Sequence, residues 1–227
     1  MTLEDGAMVR AVCDDINYSD LEQMEPLAVA VHSVATLGGF RANQAITIFG
    51  CGPIGLLCMA VAKALGAGRV IAVDIVTSRL EFAKSYAATD TFKPPPPEDG
   101  ESKLEFSRRS ADQMKEQLGI QDRGSNAIDL VVDASGAEVS VQTALAIVKF
   151  GGTHVQVTDY VPAREIIPMR NVQVGMGSPE VTINMAAVLP KELVIKGSFR
   201  YGVSSFVGGF SLFIYLHSRE TIRLLSH

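Results

Sequence analysis

The octapeptide Ile48-Phe49-Gly50-Cys51-Gly52-Pro53-Ile54-Gly55 limits the folds open to this chain more than any other stretch. It follows a β-branched run, Ala45–Phe49, and leads into good helix formers from Pro53 to Leu65. The first glycine permits a tight turn at the strand end, and Gly52 lets backbone approach a pyrophosphate. Gly55 lets the helix sit close to the strand. The unpaired N–H groups of the helix start then face an anion, and Pro53 occupies a position that needs no N–H partner. Three glycines alone are a weak signal; their place between strand and helix gives them weight.

The same alternation recurs along the chain. Arg69–Val73 reads as a second strand, followed by a helix over Thr77–Ala87, and Thr91–Phe92 as a short third strand. Ile128–Val132, Thr153–Val157 and Leu193–Ser198 supply three more. Strands alternating with helices predict an α/β fold, a doubly wound parallel sheet of six strands. Lys93–Lys103 carries four consecutive prolines, which excludes a helix or an interior strand and predicts a surface loop, followed by a helix-compatible stretch over Ser102–Leu118. A length of 227 residues needs no disulfide or metal staple. The three cysteines, Cys13, Cys51 and Cys58, form no ligand-spaced pair, and their scarcity suggests a reducing, cytoplasmic compartment. A net charge of −5 argues against a nucleic-acid or anionic-membrane partner. No apolar run reaches the ~18 residues needed to span a bilayer.

Asp74 ends the second strand, 19 residues beyond Gly55, where a carboxylate accepts hydrogen bonds from ribose hydroxyls. Its charge repels a 2′-phosphate, at ~4 Å and an effective dielectric of 20 by about 4 kcal/mol per charge pair before screening, so NAD is favoured over NADP. A helix N-cap is the bland alternative for Asp74. Arg79 suits stacking on adenine and equally suits an exposed helix charge. An S-adenosylmethionine-dependent methyltransferase also places an acid at the end of strand two. The Gly-Pro-Ile-Gly continuation fits a dinucleotide better.

The segments MEPLAVAVHSV (24–34), GCGPIGLL, VDIVTSRL, DLVVDASG and GSFRYG (197–202) appear in that order. Together they resemble zinc-dependent medium-chain polyol dehydrogenases, most closely the fungal xylitol and sorbitol dehydrogenases. The resemblance implies NAD-dependent oxidation of a polyol to the ketose, with NAD across a Rossmann sheet and zinc in a separate GroES-like catalytic domain. It assigns Gly50, Gly52, Ile54 and Gly55 to the pyrophosphate turn, and Asp74 and Arg79 to the adenosine ribose. Val174, Gly175 and Met176 match a loop on the nicotinamide side, and Phe199, Arg200 and Tyr201 a triplet facing cofactor and substrate. Glu25 matches the acid near the catalytic zinc, binding it directly or through water. Without the resemblance it is an ordinary acid before Pro26. The family also implies a small-molecule polyol substrate and homo-oligomers. His32 and His154 match no family role and read as core or boundary histidines.

The departures from that pattern are specific. The other zinc ligands, a cysteine and a His-Glu pair, come in the family from a domain that precedes Glu25, whereas 24 residues stand there in this sequence. With at most one ligand candidate against the usual three plus water, an incomplete zinc site and impaired catalysis are expected. Removing Val9–Gln23 or Val157–Gln173 restores family-like continuity, and Val203–His227 replaces the expected continuation. These stretches all begin with valine, and both internal ones end with glutamine, as translation through unspliced introns would give (GT-A-CGT reads Val-Arg, CAG reads Gln). Natural surface insertions are the alternative, and the nucleotide sequence at these points distinguishes them. The expected organisation is a remnant of the catalytic-domain junction over 1–35, an NAD-binding domain over 36–202, and an aberrant tail over 203–227. A non-catalytic NAD-binding fragment, or a partner of a full-length subunit docked through an exposed sheet edge or uncovered face, is the other functional reading.

Overall fold

The computed structural model describes residues 26–158 and 181–199. They contain one six-stranded parallel sheet in the order β3-β2-β1-β4-β5-β6. The strands are β1 (Ala45–Phe49), β2 (Arg69–Val73), β3 (Asp90–Phe92), β4 (Ile128–Asp133), β5 (Val148–Thr158) and β6 (Val194–Phe199). The helices between them are α1 (Pro53–Ala64), α2 (Thr77–Tyr86), α3 (Lys103–Leu118), α4 (Glu138–Ile147) and the short α5 (Met185–Val188). Ahead of β1, residues 26–31 are helical and run into a π-helical stretch, His32–Leu37. This is the doubly wound architecture expected from the alternation of the sequence.

Every residue of β1 is buried, as a strand flanked by β2 and β4 and covered on both faces requires. On one face Ile46, Ile48, Ala72, Leu130 and Val132 pack against Val34 and the buried side of α1, including Met59 and Val61. On the other, Phe49, Ile71, Val73 and Val131 meet Ala111 and Met114 of α3 and Ala144 and Ile147 of α4. The expected uncovered sheet face is therefore absent over the middle strands. Among the described residues, exposed large apolar side chains include Val194, Ile195 and Phe199 on β6, and Ile75, Met185 and Leu189 elsewhere.

α3 begins with a reciprocal capping box between Ser102 and Glu105 and ends on Gly119 at φ 64°. The proline-rich loop before it is pinned by Arg109, which donates to Glu101 at 2.7 Å and to the Pro96 carbonyl at 3.0 Å. The Arg109 guanidinium holds the Glu101 carboxyl down at about 2. Three features depart from the sequence reading. α4 and the short α5 have no predicted counterpart, and β5 starts at Val148 rather than Thr153, because Gly151 (φ 67°) and a register shift against β4 interrupt its pattern. Val157 and Thr158, at the start of the stretch that interrupts the family pattern, belong to β5 and pair with Ser198 and Phe199. Most of Val157–Gln173, all of Val9–Gln23 and all of Val203–His227 lie outside the described residues, as does Cys13.

His154 is the core histidine expected. It is fully buried in β5, its Nδ1 lacks a partner, and its Nε2 lies 3.4 Å from Gln156 Oε1. Burial drives its pKa down to about 4. The unfolded chain takes up this proton near pH 6.5 and the folded chain only near 4, so stability is fully present above 6.5 and is lost as pH falls through that window. About 2 kcal/mol is expected to disappear between pH 7 and pH 5 through this group. Urea midpoints at the two pH values measure the loss, and His154→Phe is expected to remove most of the difference. An unchanged difference in the variant assigns the acid sensitivity elsewhere.

Candidate functional site

The C-terminal ends of β1, β2 and β4 meet where the strand order reverses, the usual position of a ligand crevice in such sheets. Gly50 turns the chain away from β1 at φ 89°, while its N–H donates to the Val73 carbonyl at 2.8 Å. A Cβ on Gly50 would lie 3.0 Å from Ser135 N and 3.1 Å from Ala134 C, so the β1 and β4 turns are in backbone contact. A Cβ on Gly55 would lie 1.8 Å from the Gly50 carbonyl oxygen, the close packing the spacing predicts. At Gly52 a Cβ would meet nothing within 4 Å. Gly52 is also the N-cap of α1 and provides no capping side chain, leaving the first N–H groups of that helix for a ligand.

Asp74 is buried, with 8% of its surface exposed, and both carboxylate oxygens are engaged. Oδ2 accepts from Cys51 N and Oδ1 from Val76 N, each at 2.8 Å. The N-cap of α2 is Val76, so the helix-cap alternative for Asp74 gives way to a bridge between the glycine turn and the β2–α2 turn. Arg79 Nη1 stands 3.9 Å from Asp74 Oδ2, with more than half of its side chain exposed. Arg79 thus lies beside the acid and remains open to solvent, which leaves both of its expected roles standing. Burial, with the Asp74 charge second and Arg79 opposing, pushes the Cys51 thiol up to about 12.

These groups line a cleft of about 770 Å³. Its floor includes Gly50, Gly52, Ile54, Gly55, Asp74 and Arg79, which brings the predicted turn and ribose positions into one cavity. Its walls include Ile75, Pro94, Phe106 and Ser135, none of which the sequence reading assigned a role. Phe106 lies on α3 and Pro94 in the loop before it, and only tertiary packing brings them to the glycine turn. Ser135 stands in the DASG run, which the sequence reading used as a marker of resemblance without assigning it a task. Phe199 ends β6 and is not among the cleft-lining residues. Glu25, Val174, Gly175, Met176, Arg200 and Tyr201 lie outside the described residues.

The cleft suits a dinucleotide: an open glycine at an uncapped helix start for the phosphates, a buried carboxylate beside it, and apolar walls. The described residues do not suit a catalytic zinc. They hold no group of three His, Cys, Asp or Glu side chains within reach of one ion. Among them, no helix is long and apolar enough to cross a membrane.

Residues 53–213 match the family model described as zinc-binding dehydrogenase. D-xylulose reductase A of Aspergillus niger is 45% identical over 183 residues, which is 81% of this chain and 43% of that protein. D-xylulose reductase A of Aspergillus oryzae is 40% identical over 193 residues, 85% of this chain and 46% of that protein. The chain thus spans less than half the length of these curated relatives. Among solved structures, L-idonate 5-dehydrogenase from Escherichia coli superposes with a TM-score of 0.63 at 26% identity, over 87% of this chain and 46% of that one. Galactitol-1-phosphate dehydrogenase from the same organism gives 0.62 at 24% identity, over 88% and 51%, a likeness of fold alone.

Proposed function

The chain belongs to the zinc-binding dehydrogenase family, and from that premise we propose that its described residues form the dinucleotide-binding part of an NAD-dependent polyol dehydrogenase of the xylitol or sorbitol class. The observation that carries this reading is the Asp74 carboxylate, buried at the end of β2 and tied to the glycine turn through Cys51 N. Gly52 and the first turn of α1 would receive the pyrophosphate, with N–H groups and the helix dipole facing it. Asp74 would accept from the adenosine ribose and repel a 2′-phosphate. Ile75, Pro94 and Phe106 would shield the adenine from water. A bound dinucleotide would supply the hydride-accepting nicotinamide ring; Gly52, α1 and Asp74 would hold and orient its pyrophosphate and adenosine portion. The assignments of Val174, Gly175, Met176, Phe199, Arg200 and Tyr201 to the nicotinamide and substrate side, and of Glu25 to zinc, are part of the same proposal.

Titration with NADH and NADPH, followed by the fluorescence of the reduced nicotinamide, tests the reading in a chain that has no tryptophan of its own. NADH is expected to bind at least about tenfold more tightly than NADPH, the ratio one uncompensated charge repulsion of moderate size produces. Equal affinity, or S-adenosylmethionine displacing NADH, refutes it. Incubated with NAD, zinc and xylitol, this chain is expected to form little or no NADH, and robust formation refutes the proposed impairment.

A further inference from the structure

The Asp-Ala-Ser-Gly run at the end of β4 has a hydrogen-bond pattern that the dinucleotide reading leaves unused. Asp133 is fully buried, and its Oδ1 takes two donors from one residue: Ser135 N at 2.8 Å and the Ser135 hydroxyl at 2.7 Å. Ser135 Oγ in turn accepts from Ala137 N at 3.3 Å. A serine hydroxyl has one proton and two acceptor lone pairs. The proton is committed to Asp133 and one lone pair to Ala137, so toward the cleft that it lines Ser135 presents an acceptor and no donor.

That polarity selects a ligand group. A phosphate oxygen offers only lone pairs and is repelled; a hydroxyl offers a proton and is held. The position selects which hydroxyl. Asp74 stands at the end of β2, on one side of β1, and Ser135 follows β4, on the other. The pyrophosphate site at Gly52 and α1 lies between them. A dinucleotide laid across the reversal with its adenosine on Asp74 brings its second ribose to Ser135. We infer that Asp133, as a positioning residue, fixes Ser135 as the acceptor for a hydroxyl of the ribose on the nicotinamide side. The inference rests on the dinucleotide reading of the cleft.

Calorimetric titration with ADP-ribose and with ADP isolates the contact, because ADP-ribose carries the second ribose and ADP ends at the phosphates. Ser135→Ala is expected to weaken ADP-ribose by roughly 3- to 10-fold, one net hydrogen bond, and to leave ADP within about twofold. Asp133→Val, which withdraws the acceptor and frees the serine proton, is expected to lower the ratio of the two affinities as far as Ser135→Ala does. Asp133→Asn keeps a carbonyl oxygen for both Ser135 donors and is expected to hold that ratio within about twofold. ADP and ADP-ribose weakening together in Ser135→Ala, or neither weakening, overturns the inference whether or not Asp133→Val folds. Wild-type chain that binds ADP but gains nothing from the second ribose also overturns it and leaves the proposed function standing. Wild-type chain that binds neither overturns both.

Discussion

Gly55→Ala is expected to abolish NADH binding and to lower folding stability by about 3 kcal/mol or more, the upper end of what overpacking ordinarily costs. The added methyl would sit 1.8 Å from the Gly50 carbonyl oxygen, a backbone atom that cannot rotate away. Gly50 has no slack to give. Its φ of 89° is already open to few residues, its N–H is bonded to Val73, and Ala134 and Ser135 press against its other side. Relief must come from α1 moving off β1, which opens the packing of Ile48 against the helix and shifts the N–H groups offered to the pyrophosphate. Gly52→Ala is the matched control. Its backbone is extended, at φ −76° and ψ −177°, and a Cβ there meets nothing, so stability is expected to stay within about 0.5 kcal/mol while NADH affinity falls. Urea unfolding followed by circular dichroism, beside NADH titration of the same samples, separates the two variants. Wild-type stability in Gly55→Ala would show that the helix start is softer than these contacts allow.

The glycine turn was legible in the sequence because each of its glycines answers a different steric demand, and the sequence states those demands in order. The strands were legible because a parallel sheet buried on both faces needs continuous β-branched runs such as Ala45–Phe49 and Arg69–Val73. α4 was not, since Glu138–Ile147 mixes valine, threonine and isoleucine with alanine and leucine, and its helical state is decided by packing of Val141, Ala144 and Leu145. The same limit applies within the cleft. Asp74 directly follows β2, where its distance to the turn puts it, but its grip on Cys51 N is a contact between residues 23 apart, which no local pattern encodes. Phe106 and Pro94 reach the cleft only because the proline-rich loop folds back, fastened by Arg109 to Glu101 and the Pro96 carbonyl.

The grip of Asp74 on the turn gives the second large effect. Asp74→Ala removes the acceptor of Cys51 N and of Val76 N at once. Each donor left without a partner costs about 1–3 kcal/mol if it stays buried, and Cys51 is buried whereas Val76 is partly open to water. A total loss of about 2–4 kcal/mol is therefore expected, most of it from the turn. The ligand consequence is separate from the stability consequence. With the carboxylate gone, a 2′-phosphate no longer meets a negative charge, and Arg79, which now leans toward Asp74 at 3.9 Å, is free to pair with it. The preference for NADH over NADPH is expected to fall at least about tenfold, through weaker NADH and stronger NADPH binding together. Asp74→Ala combined with Arg79→Ala divides these contributions. If Arg79 supplies the new attraction, the double variant keeps the weak NADH binding and loses the gain for NADPH. If NADPH binds the double variant as well as the single one, relief of repulsion is the whole effect and Arg79 is a solvated helix charge. An unaltered preference in Asp74→Ala places the ribose elsewhere and removes the main support for NAD in this cleft.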